Sequence, residues 1–280
     1  MTSPEKAQPR PLEEQPPTGD PRLDAFARLL AIIDRLRAPD GCPWDLEQTV
    51  ESMAPSLIEE AFEAVEAIEK AKDQDVIEET GDLLLVVTLI ARIAQDEGRF
   101  DLGAAARAVG DKLVRRHPHV FGDVEVDGSS AAIANWEKIK KEERKSKNED
   151  ASALAGVPLA LPALQRAQRL AAKACATGFK WSDAGGALSK LDEEVGELHA
   201  AIESGRAPDI EAELGDVLLA GAFLGHYLDI DPERVTRDAL RRFETRFRHM
   251  EGKTEGALAD HSLEDLVAAW QRAKKETEGA

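Results

Sequence analysis

The second half of this 280-residue chain repeats the sequence of its first half, block by block and in the same order. Two acidic blocks define the repeat, because Glu60 precedes Asp82 by 22 positions and Glu194 precedes Asp216 by 22 positions as well. The matching segments are 42–45 and 178–182, 59–63 and 193–197, 79–82 and 213–216, 112–116 and 242–246, and 136–142 and 270–276. Blocks that recur in one order with an identical central spacing indicate a duplication, so we expect two copies of one structural module.

The apolar residues recur at the spacing of helices. The first predicted helix carries an apolar stripe formed by Phe26, Leu29, Leu30, Ile33 and Leu36. A turn at 39–41 ends it, and the pattern predicts further helices at about 53–71, 74–97, 103–116 and 131–145. Period-2 alternation is nearly absent, and only 124–126 predicts a short hairpin. The predicted fold class is therefore all-α.

Changes in composition predict the domain boundaries. Residues 1–22 contain six prolines and almost no large apolar side chains, which predicts a disordered tail. The run from 138 to 150 is almost wholly charged or polar, and apolar periodicity restarts after it. We therefore expect an N-terminal module at 23–145, a linker at 146–160 and a C-terminal module at 161–280.

Charge and cysteine content exclude several kinds of partner. The chain has 54 acidic and 36 basic residues, and its formal charge of −18 repels nucleic acid. Cys42 and Cys175 have no spacing that indicates zinc or a disulfide framework, which fits a reducing compartment. No secretory signal is visible, and the longest apolar run, 83–91, is far shorter than the roughly 20 residues that span a bilayer. We expect a cytoplasmic protein with no membrane or nucleic-acid partner.

The acidic blocks carry carboxylates in pairs. Residues three apart on a helix project from one side, so Glu60 pairs with Glu63, and Glu79 pairs with Asp82. Two such pairs on facing helices bring four carboxylates together, and hard divalent cations such as Mg²⁺ take oxygen ligands. The same description fits Glu194, Glu197, Glu213 and Asp216 in the second copy.

A solvated helix face is the competing interpretation of the first pair. A helical wheel places Glu60 and Glu63 opposite an apolar stripe, formed by Leu57, Ile58, Ala61, Val65 and Ile68. Asp82 is different, because it directly precedes the run 83–90, which is apolar on every side and should be a buried helix. A carboxylate at that position is costly unless a positive charge compensates it. The glycine before each repeated aspartate permits close approach by a ligand or a neighbouring helix.

Basic residues recur at one helical spacing later in each copy. Lys112 and Arg116 in the first copy, and Arg242 and Arg246 in the second, are four positions apart and could straddle phosphate oxygens. Basic residues near a helix end also complement the helix dipole, but recurrence in both copies favours the phosphate interpretation. Trp270, like its counterpart in the first copy, could stack on a base or pack in the core, and both remain open.

Together these blocks resemble the MazG family of nucleoside triphosphate pyrophosphohydrolases in its two-domain form. The resemblance rests on the acidic blocks and on segments 41–45, 115–121 and 136–140, and it covers roughly residues 23–276. It implies two tandem all-α modules that associate as a homodimer of four-helix-bundle type. It also implies hydrolysis of NTPs and dNTPs to the nucleoside monophosphate and pyrophosphate, with Mg²⁺ as cofactor, in nucleotide-pool housekeeping.

The resemblance assigns roles to individual residues. The metal ligands of the second module are Glu194, Glu197, Glu213 and Asp216, and their matches in the first module are Glu60, Glu63, Glu79 and Asp82. The substrate contacts are Lys190, Glu194, Asp216, Arg242, Arg246 and Trp270. The position that matches Lys190 is Ser56, so the first module lacks one expected cation. The resemblance therefore implies activity in the second module, although the intact carboxylates keep the first module in question.

The expected mechanism is metal-assisted hydrolysis. Mg²⁺ held by the carboxylates neutralises the triphosphate and activates a water, which attacks the α-phosphorus in line while pyrophosphate leaves. Glu193 and Glu194 are the expected catalytic residues, with Glu193 orienting the water, while Lys190, Arg242 and Arg246 stabilise the phosphate charge. A competing hypothesis is a non-catalytic nucleotide-sensing or protein-interaction module with a vestigial metal site. A di-iron bundle would need Glu-x-x-His pairs, where this chain has Glu-x-x-Glu and Glu-x-x-Asp.

Overall fold

Helices form the whole regular structure of the described chain. The computed structural model describes residues 18–146, 150 and 152–277, and no strand occurs among them. The helices are α1 (Pro21–Leu36), α2 (Pro43–Glu47), α3 (Ala54–Lys70), α4 (Asp73–Asp96), α5 (Leu102–Arg116), α6 (Pro118–Phe121), α7 (Gly128–Ser146), α8 (Ala163–Ala176), α9 (Ala184–Ser204), α10 (Ala207–Tyr227), α11 (Pro232–Lys253) and α12 (Leu263–Glu276). The all-α prediction is confirmed. The hairpin predicted at 124–126 is wrong, because this segment is an irregular connection between α6 and α7 with no pairing strand among the described residues.

The chain divides into two compact units, Met1–Lys141 and Glu142–Ala280. These are called the first and the second unit below. The division falls inside α7, whereas the sequence predicts modules at 23–145 and 161–280 joined by a linker at 146–160. Two units agree in number with the two predicted modules, and the boundaries drawn from composition stay predictions.

The first helix begins close to the end of the predicted tail. Of the predicted disordered tail at 1–22, residues 1–17 lie outside the described part of the chain. The Asp20 carboxylate accepts a hydrogen bond from the backbone N–H of Arg22 at 2.9 Å, and Pro21 occupies the first helical position. An aspartate cap followed by proline is a favoured helix start, so α1 begins at Pro21.

Each unit is built around a helical hairpin with a connection of the same length. Two residues, 71–72, join α3 to α4, and two residues, 205–206, join α9 to α10. The first of the two is left-handed in both units, with φ of 53° at Ala71 and 70° at Gly205. Equal connections give both hairpins one register, which explains why the acidic blocks are 22 positions apart in each copy.

The core of the first unit lies where α1, α3 and α4 meet. Its buried cluster consists of Ile33, Met53, Val86, Leu89 and Ile93, with Leu29, Val50, Leu57, Leu85 and Ile90 packed against it. These side chains come from the helical stripes that the sequence shows, and their burial supplies the main stabilisation of the unit.

Ion pairs also join α1 to α4. Arg37 Nε lies 2.8 Å from Asp96 Oδ2, and Arg92 Nε lies 2.6 Å from Asp34 Oδ1. Asp96 also pairs with Arg92, so the four side chains form one network. The side chain of Arg37 is only 7% exposed. A buried guanidinium needs its carboxylate partner, so this network fixes how α1 docks on α4.

Small side chains dominate the interior of the second unit. α8 and α9 pack against α10, and α11 packs against α8 and α12. The buried alanines are Ala155, Ala167, Ala171, Ala187, Ala201, Ala220, Ala222 and Ala273. The backbone N–H of Trp181 donates a hydrogen bond to Tyr227 Oη at 2.8 Å, and the two rings make an edge contact with centroids 5.9 Å apart. These contacts hold the segment before α9 against the end of α10.

The apolar run 83–90 is not buried on every side, and that prediction was wrong. Val86 and Leu89 are buried, whereas Leu84 is 41% exposed and Val87 is 43% exposed. The reason is that α1, α3 and α5, which pack on α4, leave these two side chains uncovered. On α10 the corresponding exposed side chains are Leu214, Leu218 and Leu219. None of the described helices combines the length and the apolar character needed to cross a bilayer.

Candidate metal site

Three carboxylates of the second unit converge between α9 and α10. One oxygen from each of Glu194, Glu213 and Asp216 lies within 4.8 Å of the others. Glu194 and Asp216 each stand 11 residues from Gly205, so the antiparallel helices bring them to the same height. Glu213 lies one turn before Asp216 on the same helical face. The structure thus brings together three of the four ligands predicted for this unit.

Glu194 lies on the packed face of α9. The residue is 8% exposed, and the other buried residues of α9 are Ala187 and Ala201, seven positions away on either side. Seven residues are close to two helical turns, so these three share one face. The small alanines let α9 approach α10 closely, which holds the glutamate beside the carboxylates of α10.

The same arrangement in α3 corrects the wheel drawn from the sequence. Glu60 shares its face with the buried residues Ala64 and Ala67, and this face packs along α4. Three large residues of the opposite stripe are exposed instead, Ile58 at 52%, Val65 at 37% and Ile68 at 58%, while Leu57 packs against the core cluster. The helical wheel, which places Glu60 on the solvated side of α3, is therefore wrong. Small residues, and not the largest apolar ones, mark the packed side of this helix.

Lys190 lies one turn before Glu194 on α9 and contacts the carboxylate group. Its Nζ is 2.8 Å from an oxygen of Glu194 and 2.6 Å from an oxygen of Glu193. The bond from Lys190 lowers the pKa of Glu194, and the bonds to Glu193 and Glu194 raise the pKa of Lys190 above its usual range. Glu193, expected to orient a water, is thus paired with Lys190 in this structure, and its catalytic role stays a prediction.

Glu197 is the fourth predicted ligand and lies beside Glu194, outside the group of three. Its carboxyl group shares a hydrogen bond with that of Glu194, and this bond, followed by partial burial and the charge of Glu194, raises the pKa of Glu197. Two carboxyl groups can share a hydrogen bond only when one carries a proton. The pKa of Glu194 is lowered, first by its bond from Lys190, and the pKa of Glu197 is raised, so Glu197 takes up a proton more readily than Glu194 does.

The first unit repeats the carboxylate group. Oxygens of Glu60, Glu79 and Asp82 lie within 4.8 Å of one another, with Glu60 and Asp82 each 11 residues from Ala71. Partial burial, followed by the charge of Asp82, raises the pKa of Glu60. Partial burial, followed by the charge of Glu63, raises the pKa of Glu79. Glu63 therefore lies close enough to repel the group, although it is not one of its three members.

One sequence difference explains why the pKa is raised for Glu60 in the first unit and lowered for Glu194 in the second. Ser56 occupies the position four residues before Glu60, where the second unit has Lys190 before Glu194. A serine hydroxyl carries no charge, so Glu60 is surrounded by like charges, whereas Glu194 has an ammonium group at 2.8 Å. A divalent cation would relieve the repulsion in the first unit and would have to compete with a lysine in the second.

The predicted phosphate-binding arginines lie on α11. Arg242 and Arg246 are four positions apart on one helical face, and neither forms an ion pair within the described part of the chain. Among the described residues, no hydrogen bond or ion pair joins either arginine to the carboxylates. Their role at the site stays a prediction.

Trp270 and Trp136, the two tryptophans considered for stacking on a base, pack against other side chains. The ring of Trp270 packs on Phe243 with centroids 5.2 Å apart. The ring of Trp136 in the first unit has the Arg116 guanidinium 5.6 Å from its centroid and Lys140 Nζ at 4.5 Å. Both rings thus have packing partners within their own unit, and stacking of Trp270 on a base stays a prediction.

A groove between α11 and α12 is a feature that the sequence reasoning missed. It has a volume of about 230 Å³ and is lined in part by His249, Lys253, Arg272 and Glu276. His249 Nε2 lies 2.7 Å from Glu276 Oε2. His249 follows Arg246 by three positions, and Lys253 follows His249 by four, so both continue the helical face of Arg246. That spacing is the signal from which the groove residues could have been found.

Both carboxylate groups have the chemistry of a site for a hard divalent cation. Each consists of three carboxylates, and such oxygens suit Mg²⁺, Mn²⁺ or Ca²⁺. Partial burial, followed by the charges of neighbouring carboxylates, raises the pKa of Glu60 and of Glu79, and a bound cation would offset both effects. Neither group includes a histidine of the described chain, so a di-iron bundle with Glu-x-x-His pairs is not supported.

Fold and site together define an all-α protein with two carboxylate groups, one in each unit, that could each hold a divalent metal. The family model described as MazG nucleotide pyrophosphohydrolase domain matches residues 48–121 and 186–251, and these two segments contain both carboxylate groups. The chain belongs to this family, so the resemblance drawn from the sequence is confirmed. Enzymes of this family are metal-dependent.

Relatives of known name are similar over both units. The nucleoside triphosphate pyrophosphohydrolase of Escherichia coli (strain K12) is 40% identical over 263 residues, covering 91% of this chain and 98% of that protein. The nucleoside triphosphate pyrophosphohydrolase/pyrophosphatase MazG of Thermotoga maritima is 38% identical over 252 residues, covering 89% and 95%. The crystal structure of a mazG-related protein from Thermotoga maritima is 32% identical, with 41% of this chain and 97% of that chain covered and a TM-score of 0.37.

Proposed function

We propose that the second unit hydrolyses nucleoside triphosphates to the nucleoside monophosphate and pyrophosphate, with Mg²⁺ bound by Glu194, Glu213 and Asp216. The class of reaction follows from membership of the MazG family and from the names of relatives that match nearly the whole chain. The location rests on one observation: Lys190 adjoins the carboxylates of the second unit, whereas Ser56 takes its place in the first. A polyphosphate site needs cations beside its metal ligands, and this unit supplies both.

The carboxylates and the cations divide the work of binding. Glu194, Glu213 and Asp216 would hold the ion, which neutralises phosphate charge and lowers the pKa of water when it is bound. Arg242 and Arg246, which form no ion pair in the described chain, would stabilise the charge of the phosphates. Water then forms a bond to the α-phosphorus as the bond to the bridging oxygen breaks, and pyrophosphate leaves.

Two further glutamates next to the ligands would handle protons. Glu193 is exposed and bonds only to Lys190 among the described residues, so it is available to orient the attacking water once Lys190 binds phosphate. The bond to Glu194 raises the pKa of Glu197, and in its charged form Glu197 would join the metal ligands.

We also propose that the enzyme is a homodimer. The hairpin helices of each unit expose large apolar side chains, including Ile58 and Ile77 in the first unit and Leu188, Ile202 and Leu218 in the second, each 47–64% exposed. Large apolar side chains exposed in this number on the hairpin helices favour an interaction face. A second copy of the chain offers the same rows of side chains, and two helical hairpins packed on each other would form a bundle of four helices.

The proposed setting is the cytoplasm, where the activity would serve nucleotide-pool housekeeping. Cys42 and Cys175 are both free thiols. Free thiols suit a reducing compartment, which is where the nucleotide pool is kept.

Product analysis with the full chain tests this function. The protein is incubated with Mg²⁺ and each of the common NTPs and dNTPs, and monophosphate and pyrophosphate are quantified. Glu194→Gln and Asp216→Asn should lower turnover about 100- to 1000-fold, as expected when transition-state charge stabilisation is lost. Glu203→Gln is the matched control, because Glu203 is an exposed residue of α9 outside the carboxylate group.

The outcomes separate the competing functions. Near-normal turnover in both site variants, with folding unchanged by circular dichroism, would exclude the second-unit site. Absence of product from every triphosphate would instead favour a nucleotide-sensing or protein-interaction module. Glu60→Gln, tested in parallel, reports whether the first unit contributes, and we expect a much smaller loss because that unit lacks the lysine.

A further inference from the structure

Lys190 occupies the carboxylate group in a way that competes with a metal ion. Its Nζ lies 2.8 Å from an oxygen of Glu194, whose side chain is only 10% exposed. That oxygen belongs to one of the three residues whose oxygens gather within 4.8 Å. An ammonium group and a divalent cation both need the lone pairs of this carboxylate and repel each other, so they cannot share the site freely.

A nucleotide would offer Lys190 another partner. The lysine side chain is a compact charge on a flexible stem, and phosphate oxygens are strong acceptors for it. Lys190 is itself a third exposed, and its second partner, Glu193, is 57% exposed. Both contacts can therefore open without disturbing the packed face of α9.

We propose that Lys190 makes metal binding and nucleotide binding interdependent in the second unit. Without nucleotide, Lys190 holds Glu194 and weakens metal binding. When a triphosphate enters, Lys190 moves to a phosphate oxygen and releases Glu194 to the ion. By linkage, metal and nucleotide then raise each other's affinity by the same factor. This inference rests on the proposed function only in its nucleotide-binding step.

The first unit provides an internal comparison. Ser56 stands four residues before Glu60, so no lysine competes for the carboxylate there. The first unit should therefore bind a divalent ion without nucleotide, and the second unit should bind one well only together with nucleotide. A single chain would then carry one metal site that fills without nucleotide and one that fills well only together with nucleotide.

The proposal is tested by measuring the affinity of the full chain for Mn²⁺ with electron spin resonance. This measurement does not depend on turnover. Asp82→Asn removes a first-unit ligand so that the second unit is observed alone. In this background Lys190→Gln should bind Mn²⁺ about three- to tenfold more tightly in the absence of nucleotide, because a partly exposed ion pair need not be broken. Lys190→Arg should retain the weaker binding. Lys275→Gln, which removes an equal charge from the exposed side of α12, is the control.

A non-hydrolysable α,β-methylene triphosphate supplies the nucleotide arm. The analogue should raise the Mn²⁺ affinity of the Asp82→Asn protein in which Lys190 is intact. In Lys190→Gln the increase caused by the analogue should be smaller, by the same factor by which this substitution raises Mn²⁺ affinity without nucleotide. Equal Mn²⁺ affinity of Lys190→Gln and Lys275→Gln would overturn the proposal, as would an unchanged gain from nucleotide. If the analogue does not bind at all, the proposed function fails, while the Mn²⁺ measurement without nucleotide still decides the role of Lys190.

The reverse substitution gives an independent check. Ser56→Lys, studied with Asp216→Asn to silence the second unit, places a lysine at the same spacing before Glu60. It should weaken Mn²⁺ binding in the first unit about three- to tenfold. Unchanged binding, in protein whose melting temperature is also unchanged, would show that a lysine at this spacing does not compete with the ion.

Discussion

Truncation of Ile93 should destabilise the first unit while leaving the reaction intact. Ile93 is 1% exposed and packs with Ile33, Val86 and Leu89 between α1 and α4. Replacing a fully buried isoleucine by alanine costs about 2–5 kcal/mol, and we expect about 3.5 kcal/mol here because two helices linked by ion pairs cannot close the cavity easily. For a unit of this size, such a loss lowers the unfolding midpoint by about 10–15 °C.

The assay follows circular dichroism and pyrophosphate release over the same temperature series. Ile93→Ala should shift part of the helical signal to lower temperature and leave pyrophosphate release at 25 °C unchanged. The matched variant is Ala171→Leu in the second unit, where Ala171 is 0% exposed and the larger side chain costs about 1–3 kcal/mol. That variant should lower the temperature at which activity is lost. If Ile93→Ala abolishes pyrophosphate release while the second unit is still folded, the reasoning is refuted.

Three further predictions follow from the site and its supports. In metal-free protein, carboxyl NMR should show Glu60 titrating above the ordinary glutamate pKa of 4.5 and Glu194 below it, and the reverse order would contradict the role given to the lysine. The charged form of Glu194 therefore stabilises the fold above pH 4.5, and this contribution is lost as the pH falls through its lowered pKa. Asp96→Asn should cost about 2–3 kcal/mol in urea unfolding, because Arg37 loses its charged partner, and a loss below about 1 kcal/mol would show that the pair matters little. Arg246→Gln should lower kcat/KM about tenfold or more at an unchanged melting temperature, and unaltered kinetics would remove this residue from the substrate site.

The helices of the hairpins could be predicted from sequence because their signals are local. Apolar spacing and turn residues predicted α3 and α4 nearly to their ends. Which side of a helix is covered is not a local property, and here the sequence misled. Ile58 and Ile68 are large and apolar but exposed, whereas Ala64 and Ala67 carry little apolar surface and are buried. Close approach of α4 selected the small side chains, and a wheel drawn for one helix cannot show that.

The carboxylate group could be predicted from the spacing of the acidic blocks, which also reveals the duplication. An identical spacing of Glu194 and Asp216 from the turn fixes their height on the two helices. The choice of partner for Lys190 was not predictable, because Glu193 and Glu194 both lie within reach at spacings of three and four. The groove at His249 depends on how α11 meets α12, so it required the structure. The roles of the α11 arginines stay predictions.

The two-residue connections of the hairpins limit how this protein can change in length. One extra residue taken up by α10 would turn the helix beyond it by about 100° and advance it by about 1.5 Å. Asp216 would then leave the side of the helix that faces Glu194, and the oxygens now within 4.8 Å would separate. A single insertion at 205–206 would therefore dismantle the chemistry without removing any functional side chain. The connection 254–262, which contains one 3₁₀ turn at Leu258–Asp260, sets no register between the carboxylate-bearing helices, so insertions and deletions should be tolerated there first.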